Sequence, residues 1–258
     1  MKNDIRMIVT DLDQTFLKTD KSISGYSVDV IQRCKKAGIL IAVATARSTI
    51  SAINYINTIQ PDIIISNGGA LAKKGSDVLY RCVLSADTTG RFTRKYVDDG
   101  EFGRLIIETD ADLYCNDREL AKERDYDHAK YFDFKAPLLK EAYKINAEFP
   151  NLDLALAFAE DFKECSMIPY NGETLYRFAE KDATKLHAVK AAGESLGISM
   201  KEVAAFGDDY NDVDMIRESG IGIAMENAVE PALKSADFIT RTNDADGVAY
   251  FIEKHILS

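Results

Sequence analysis

The sequence predicts an α/β protein, with a doubly wound parallel-sheet core interrupted by an α+β insertion. Three observations predict it. Apolar strand-like runs alternate with amphipathic helical stretches through Ser66. That rhythm breaks between about residues 85 and 179 and then returns. The core runs also end in polar residues, at the edge where parallel sheets place their ligands.

Taken in order, RMIVTD (6–11) reads as the first strand, with Ile8 and Val9 suited to a sheet buried on both faces. SVDVIQRCKKAG (27–38) reads as an amphipathic helix stopped at Gly38. ILIAVAT (39–45), STISAINYINTI (48–59) and DIIIS (62–66) follow as strand, helix and strand, and this βαβαβ order implies right-handed crossovers. The rhythm changes after NGGALAKKGSDVLYRCVL (67–84). In the insertion, RLIIETDADLYC (104–115) predicts an antiparallel hairpin joined at TDAD with one wet face, and ETLYRFA (173–179) a further strand. ATKLHAVKAAGESLG (183–197) is then helical, EVAAFGDD (202–209) a strand and GIGIAM (220–225) a short strand. AVEPALKSA (228–236) and GVAYFIEKHIL (247–257) close the chain as helices. The expected division is a core of residues 1–83 and 181–258 around an inserted domain, 84–180.

Composition narrows the function classes. A chain of 258 residues, 46% hydrophobic and 29% charged, is long enough to bury a core without staples. Its net charge of −10 argues against a duplex-binding surface, though local cations can still bind a phosphorylated small molecule. Cys34, Cys82, Cys115 and Cys165 are scattered with no CxxC pair, as expected of reduced thiols rather than zinc ligands. No apolar run approaches bilayer-spanning length and no signal-peptide core is visible, so the expected setting is cytoplasmic.

The polar strand ends carry the chemistry. The first strand ends in Asp11 and Asp13, followed by Thr15; the second in ATARS, with Thr45 and Arg47. The strand after the insertion ends in FGDDYND, with Asp208, Asp209, Asn211 and Asp212. If these strands are neighbours, carboxylates cluster at one sheet edge, where hard oxygen ligands select Mg²⁺ together with a substrate phosphate. Thr45 and Lys185 would complete a phosphoryl cradle. A calcium loop fails in both registers. Counted from Asp208, its sixth and twelfth positions hold Val213 and Ser219, where glycine and glutamate are required. Counted from Asp11 they hold Phe16 and Ser22.

DLDQT, VATAR, Lys185 in DATKLHAVK and GDDYNDVDMI together resemble the four ordered motifs of the haloacid dehalogenase-like superfamily. The placement of the insertion, with ISNGGAL before it, resembles the Cof-type, class IIB capped phosphatases, as does GIGIAMENAVEPALKSADFITRTNDADGVA. The resemblance implies a Rossmann-like core with an α+β cap that selects the leaving group, hinged near Val83–Ser85 and Phe178–Asp182. It implies Mg²⁺-dependent hydrolysis of a small phosphorylated metabolite, sugar phosphates being favoured. Asp11 would be the nucleophile, and Asp13 first general acid and then general base. Mg²⁺ would sit on Asp11, the Asp13 carbonyl oxygen and Asp208, with Asp212 near or in the shell. Thr45 and Lys185 would hold phosphate oxygens; Asn67 and Gly68 read either as a structural turn, since a glycine pair tolerates positive φ, or, as the resemblance implies, as residues near the phosphate. The family most often has glycine where Gln14 and Ala46 stand.

Other readings stay open at this stage. Arg47 could meet substrate or a core carboxylate, and Asn211 and Asp212 could cap a helix starting near Val213. His128, His187 and His255 have no pairing spacing, and Glu108, Asp110 and Asp112 read as a solvated acidic face. The alternatives in function are a sugar phosphomutase or phosphotransferase on the same core, and a phospho-accepting regulatory module.

Overall fold

The computed structural model describes residues 5–100, 103–110, 112–122, 129–170 and 174–257, so His128 and part of the TDAD turn lie outside it. The chain divides into two compact units, one of Met1–Arg81 with Thr184–Ser258 and one of Cys82–Ala183.

The first unit begins with β1 (Met7–Thr10), α1 (Gly25–Lys36), β2 (Leu40–Ala44), α2 (Ile53–Ile59), β3 (Ile63–Ser66), β4 (Leu71–Lys74) and β5 (Asp77–Arg81). The second unit holds α3 (Ala86–Asp98), β6 (Leu105–Glu108), β7 (Leu113–Cys115), β8 (Ala129–Tyr131) and β9 (Lys144–Glu148). It ends with α4 (Leu152–Ala159), β10 (Cys165–Pro169) and β11 (Leu175–Glu180). The first unit then resumes with α5 (Lys185–Ser195), β12 (Val203–Gly207), α6 (Val213–Glu218) and β13 (Ile221–Ala224). It closes with α7 (Glu230–Ser235), β14 (Phe238–Ile239) and α8 (Gly247–His255).

The sheet of the first unit runs β14-β13-β12-β1-β2-β3-β4-β5. Pairing from β14 to β3 is parallel, and β3-β4-β5 is antiparallel. Strand alternation sends side chains to two apolar layers. Ile8, Ile41, Val43 and Phe206 pack with Val30 and Ile31 of α1, Ile56 of α2, and Phe251 and Ile252 of α8. Met7, Val9, Ala42, Ile65 and Ala205 pack on the other face with Ala188, Val189 and Ala192 of α5 and Met215 of α6. This is the doubly wound α/β architecture, with β1 central and its carboxyl end between those of β12 and β2.

Two local differences from the sequence reading stand out. The helix expected over 48–59 is helical only from Ile53 and is preceded by a turn in which Ser48 Oγ accepts the Ser51 N–H at 3.1 Å. The stretch 67–84 contributes the β4–β5 hairpin, whose strands LAKK and DVLYR show no alternation of buried and exposed residues.

The sheet of the second unit runs β10-β11-β9-β6-β7-β8. One face carries Leu105, Ile107, Ile145, Ala147, Tyr176 and Phe178 against Phe92 and Tyr96 of α3 and Phe158 of α4. Phe92 lies 4.9 Å from both Phe158 and Phe178, edge to face. The β6–β7 hairpin forms, with Glu108 opposite Leu113, but β6 is buried at every position rather than wet on one side. On the face expected to be wet, Ile106 clusters with Leu113, Cys115 and Leu120, and Glu108 lies opposite Lys144 and bonds its Nζ at 3.1 Å, both side chains being buried. The acidic face expected over 108–112 is therefore paired. Asp110 accepts from the Tyr143 hydroxyl, and Asp112 binds Lys130 at 2.5 Å.

Candidate active site

The site assembles at the carboxyl ends of three adjacent strands. Asp11 follows β1, Thr45 follows β2 and Asp208 follows β12. Asp11 is pinned by its own amide, which donates to the Phe206 carbonyl of β12 at 3.1 Å. Lys185 is the first residue of α5, behind the N-cap Thr184, and its buried Nζ bonds Asp11 Oδ1 at 2.8 Å and Asp212 Oδ1 at 2.7 Å. Asp212 Oδ2 accepts the amides of Asp208 at 3.0 Å and Asp209 at 3.1 Å. The Asp212 carboxylate thus ties the β12 loop to the lysine.

Glycine makes two of these approaches possible. A Cβ on Gly207 would lie 2.4 Å from the Asp212 Cβ, so only glycine lets Asp212 fold beneath its own strand end. Gly69 has φ +99°, and a Cβ there would lie 2.1 Å from the Thr184 carbonyl carbon and 2.4 Å from the Lys185 amide nitrogen. The 67–69 turn therefore presses against the start of α5.

One carboxylate oxygen from each of Asp11, Asp208 and Asp212 lies within 4.8 Å of the others, all three residues being buried. Burial, with repulsion from Asp212 and Asp13 and only partly offset by Lys185, raises Asp11 from 3.8 to about 7. Burial and the neighbouring Asp11 and Asp212 raise Asp208 to about 8, although the Thr15 hydroxyl donates to its Oδ1 at 2.5 Å. Burial opposes the charge on Lys185, but Asp11 and Asp212 hold it protonated. Three carboxylates against one ammonium leave two negative charges when all are ionised. An oxygen-rich, buried pocket with that surplus fits a divalent hard cation.

Asp13 is half-buried and differently disposed. Its carboxylate takes a fork from Arg47, with Nε at 2.7 Å and Nη2 at 2.9 Å, and Lys21 Nζ at 2.7 Å. Burial alone would raise its pKa, but these cations lower it to about 2. Arg47 thus meets a core carboxylate in this structure, the second of the two partners left open for it. Its guanidinium also lies 5.2 Å from the Tyr55 ring.

The remaining expected residues differ in placement. Thr45 is fully buried, and its Oγ1 accepts the Arg47 amide at 3.1 Å. Asn67 and Gly68, both with positive φ, donate their amides to the Arg47 and Thr45 carbonyls at 2.8 and 2.9 Å. Their backbone braces the Thr45–Arg47 turn. Asn211 lies half-buried in the Tyr210–Asp212 turn, and its side chain makes no hydrogen bond among the described residues. Residues that sequence reasoning passed over are Lys21, Gly207 and Gly69, and the Asn227 and Asn243 side chains bonded to the Asp13 loop. A glycine directly before an acidic loop was the visible signal for Gly207. Lys21, eight residues from Asp13, had none.

No helix of the described residues is long and apolar enough to cross a membrane. Residues 8–252 match the family model for haloacid dehalogenase-like hydrolases. The chain is 24% identical over 279 residues to the 5-amino-6-(5-phospho-D-ribitylamino)uracil phosphatase YwtE of Bacillus subtilis (strain 168), spanning 97% of this chain and 98% of that protein. A haloacid dehalogenase-like hydrolase from Bacteroides thetaiotaomicron superposes with a TM-score of 0.82 at 22% identity, over 96% of this chain and 98% of that one. A sugar phosphatase of HAD subclass IIB superposes with a TM-score of 0.82 at 21% identity, over the same shares. These superpositions establish the fold. With a family match over nearly the whole chain and Asp11, Thr45, Lys185 and Asp208 gathered at one sheet edge, the chain belongs to the haloacid dehalogenase-like hydrolases.

Proposed function

We propose that this hydrolase is a Mg²⁺-dependent phosphatase of small phosphomonoesters, acting through an aspartyl-phosphate. One observation carries the reading: Lys185 bridges Asp11 and Asp212 beside Asp208, so a nucleophilic carboxylate sits within a charge-compensated pocket. Phosphoryl transfer needs positioning and neutralisation of oxygen charge more than covalent help, and this pocket offers both.

Asp11 attacks phosphorus, and the bond to the leaving alkoxide oxygen breaks. Asp13 gives that oxygen a proton, then takes one from the water that hydrolyses the aspartyl-phosphate and frees Asp11. Lys185 and the Thr45 hydroxyl hold phosphoryl oxygens. Asp11 and Asp208, with the Asp13 carbonyl oxygen and Asp212 nearby, would hold Mg²⁺, which when bound supplies positive charge for the phosphoryl oxygens.

The Arg47 fork adds a condition. With a pKa near 2, Asp13 is ionised at neutral pH and ready as a base, not as an acid. A phosphate competing for Arg47 weakens the fork and raises Asp13, which takes a proton from solvent before it gives one to the leaving oxygen. Arg47 therefore serves both partners that its sequence position left open.

For substrate class, the ribityl phosphate named for the Bacillus relative and the sugar phosphatase among the structural neighbours support phosphorylated sugars or polyols. The insertion is the proposed source of leaving-group selectivity. The test is phosphate release from a panel of phosphorylated metabolites, with Mg²⁺ and with chelator. Metal-dependent release concentrated on sugar or polyol phosphates is expected. Metal-independent release, or phosphate that stays on a second sugar, overturns the reading. Asp11→Asn should lower turnover by more than about a thousandfold with folding intact.

A further inference from the structure

Gln14 occupies a backbone position made for glycine. Between Asp13 (φ −72°, ψ 129°) and Thr15 it adopts φ 58° and ψ 7°, inside a turn closed by the Leu17 amide on the Leu12 carbonyl at 2.8 Å. A side chain in this left-handed region crowds its own carbonyl, a cost glycine avoids. The structure shows what opposes that cost. Asn227 Nδ2 donates to the Gln14 carbonyl at 2.8 Å, and Asn243 Nδ2 donates to Gln14 Oε1 at 3.3 Å and to the Leu17 carbonyl at 3.0 Å. The Asn243 amide donates to Asn227 Oδ1 at 3.0 Å, joining the two asparagines. Asn243 is buried, and the exposed Gln14 side chain meets it through its amide oxygen. The glutamine beside the acid pair is thus part of a tie between distant segments.

The same segment reaches the other side of the acidic cluster. Val229, two residues after Asn227, donates its amide to the Asp208 carbonyl at 2.8 Å, and Met225 donates to the Gly207 carbonyl at 3.1 Å. Residues 225–229 therefore hold the Asp208 loop by backbone bonds and the Asp13–Gln14 loop by the Asn227 amide. The peptide between Asp13 and Gln14 is set by Asp13 ψ and Gln14 φ, and its oxygen is the Asp13 carbonyl.

We infer that Asn227 and Asn243 are positioning residues that hold Gln14 in its left-handed conformation, and so fix the Asp13 carbonyl relative to Asp208. The inference rests on the reading of Asp11–Asp13 as the reacting loop. Its signature is coupling: loss of Asn227 should hurt where residue 14 has a side chain and matter little where it is glycine.

The experiment is a double-mutant cycle of N227A and Q14G in the full chain. It is read by Mn²⁺ binding, by kcat and KM, and by amide hydrogen exchange over residues 12–19. With Gln14 present, N227A should weaken Mn²⁺ binding and lower kcat on the order of tenfold, the scale of one left-handed residue, with KM little changed. Exchange of the Leu17 amide should rise in parallel. In the Q14G background each effect of N227A should shrink below about threefold. Equal losses in both backgrounds, or none in either, overturn the inference. Mn²⁺ binding and exchange report on the clasp whether or not phosphate is released. Absence of phosphate release by the unmutated protein would sink the proposed function alone.

Discussion

Asp13 is held by two cations at once, and this shapes how the protein should respond to pH. Removing Arg47 removes the larger favourable partner of its carboxylate, so the Asp13 pKa must rise from about 2 toward the ordinary 3.8. R47A should therefore move the titration of the Asp13 carboxyl, followed by its carbon-13 NMR shift, to higher pH, and an unmoved titration would show that Arg47 does not hold Asp13 ionised. Asp11 and Asp208 work in the opposite sense. Folded without metal, they keep protons to about pH 7 and 8 that the unfolded chain releases near 3.8. The native state then binds more protons than the unfolded state across that window, so stability is greatest near pH 4 and falls as pH rises to 8. Thermal unfolding in chelator should show this decline, D208N should flatten it, and Mg²⁺ should raise the midpoint more at pH 8 than at pH 5. A chelator-treated protein that gains stability over the same range would contradict the shared burial of these carboxylates.

At the scale of elements, the site depends on how closely a strand end and a helix start can approach. Gly207 closes β12, and the Asp212 side chain occupies the space its Cβ would need. Gly207→Ala should displace Asp212 and with it the anchor of Lys185, costing roughly 1–3 kcal/mol in overpacking and more than about tenfold in turnover. Wild-type turnover in a folded variant would show that the Asp212–Lys185 tie is dispensable. The elements themselves were legible to differing degrees. β1, β2, β3 and β12 are short apolar runs, and their burial in two layers follows from alternation in a sheet covered on both faces. The β4–β5 hairpin was not, because LAKK and DVLYR lack the alternating pattern and are only partly buried. Glu108 was misread for a related reason. Period-two alternation marks a face, but a cross-strand lysine three dozen residues away decides whether that face is wet or paired.

The whole molecule is built as two units, each with its own apolar clusters. In the second unit, Phe92 sits at the centre of an aromatic group with Phe158, Phe162 and Phe178. F92A should destabilise that unit by about 3–5 kcal/mol. Hydrogen exchange should then rise in β6, β9 and β11 while β1 and β12 keep their protection; uniform loss across both units would mean one cooperative core. What the sequence determined by itself was the order of strands and helices, the interruption, and the residues at each strand end, because these follow from local periodicity and from parallel topology. Tertiary structure decided which polar groups meet: Lys21 beside Arg47 on Asp13, Asp212 as the second partner of Lys185, Asn227 and Asn243 on Gln14. Such pairings join positions up to 229 residues apart, and they depend on distances of a few ångströms that no local pattern encodes.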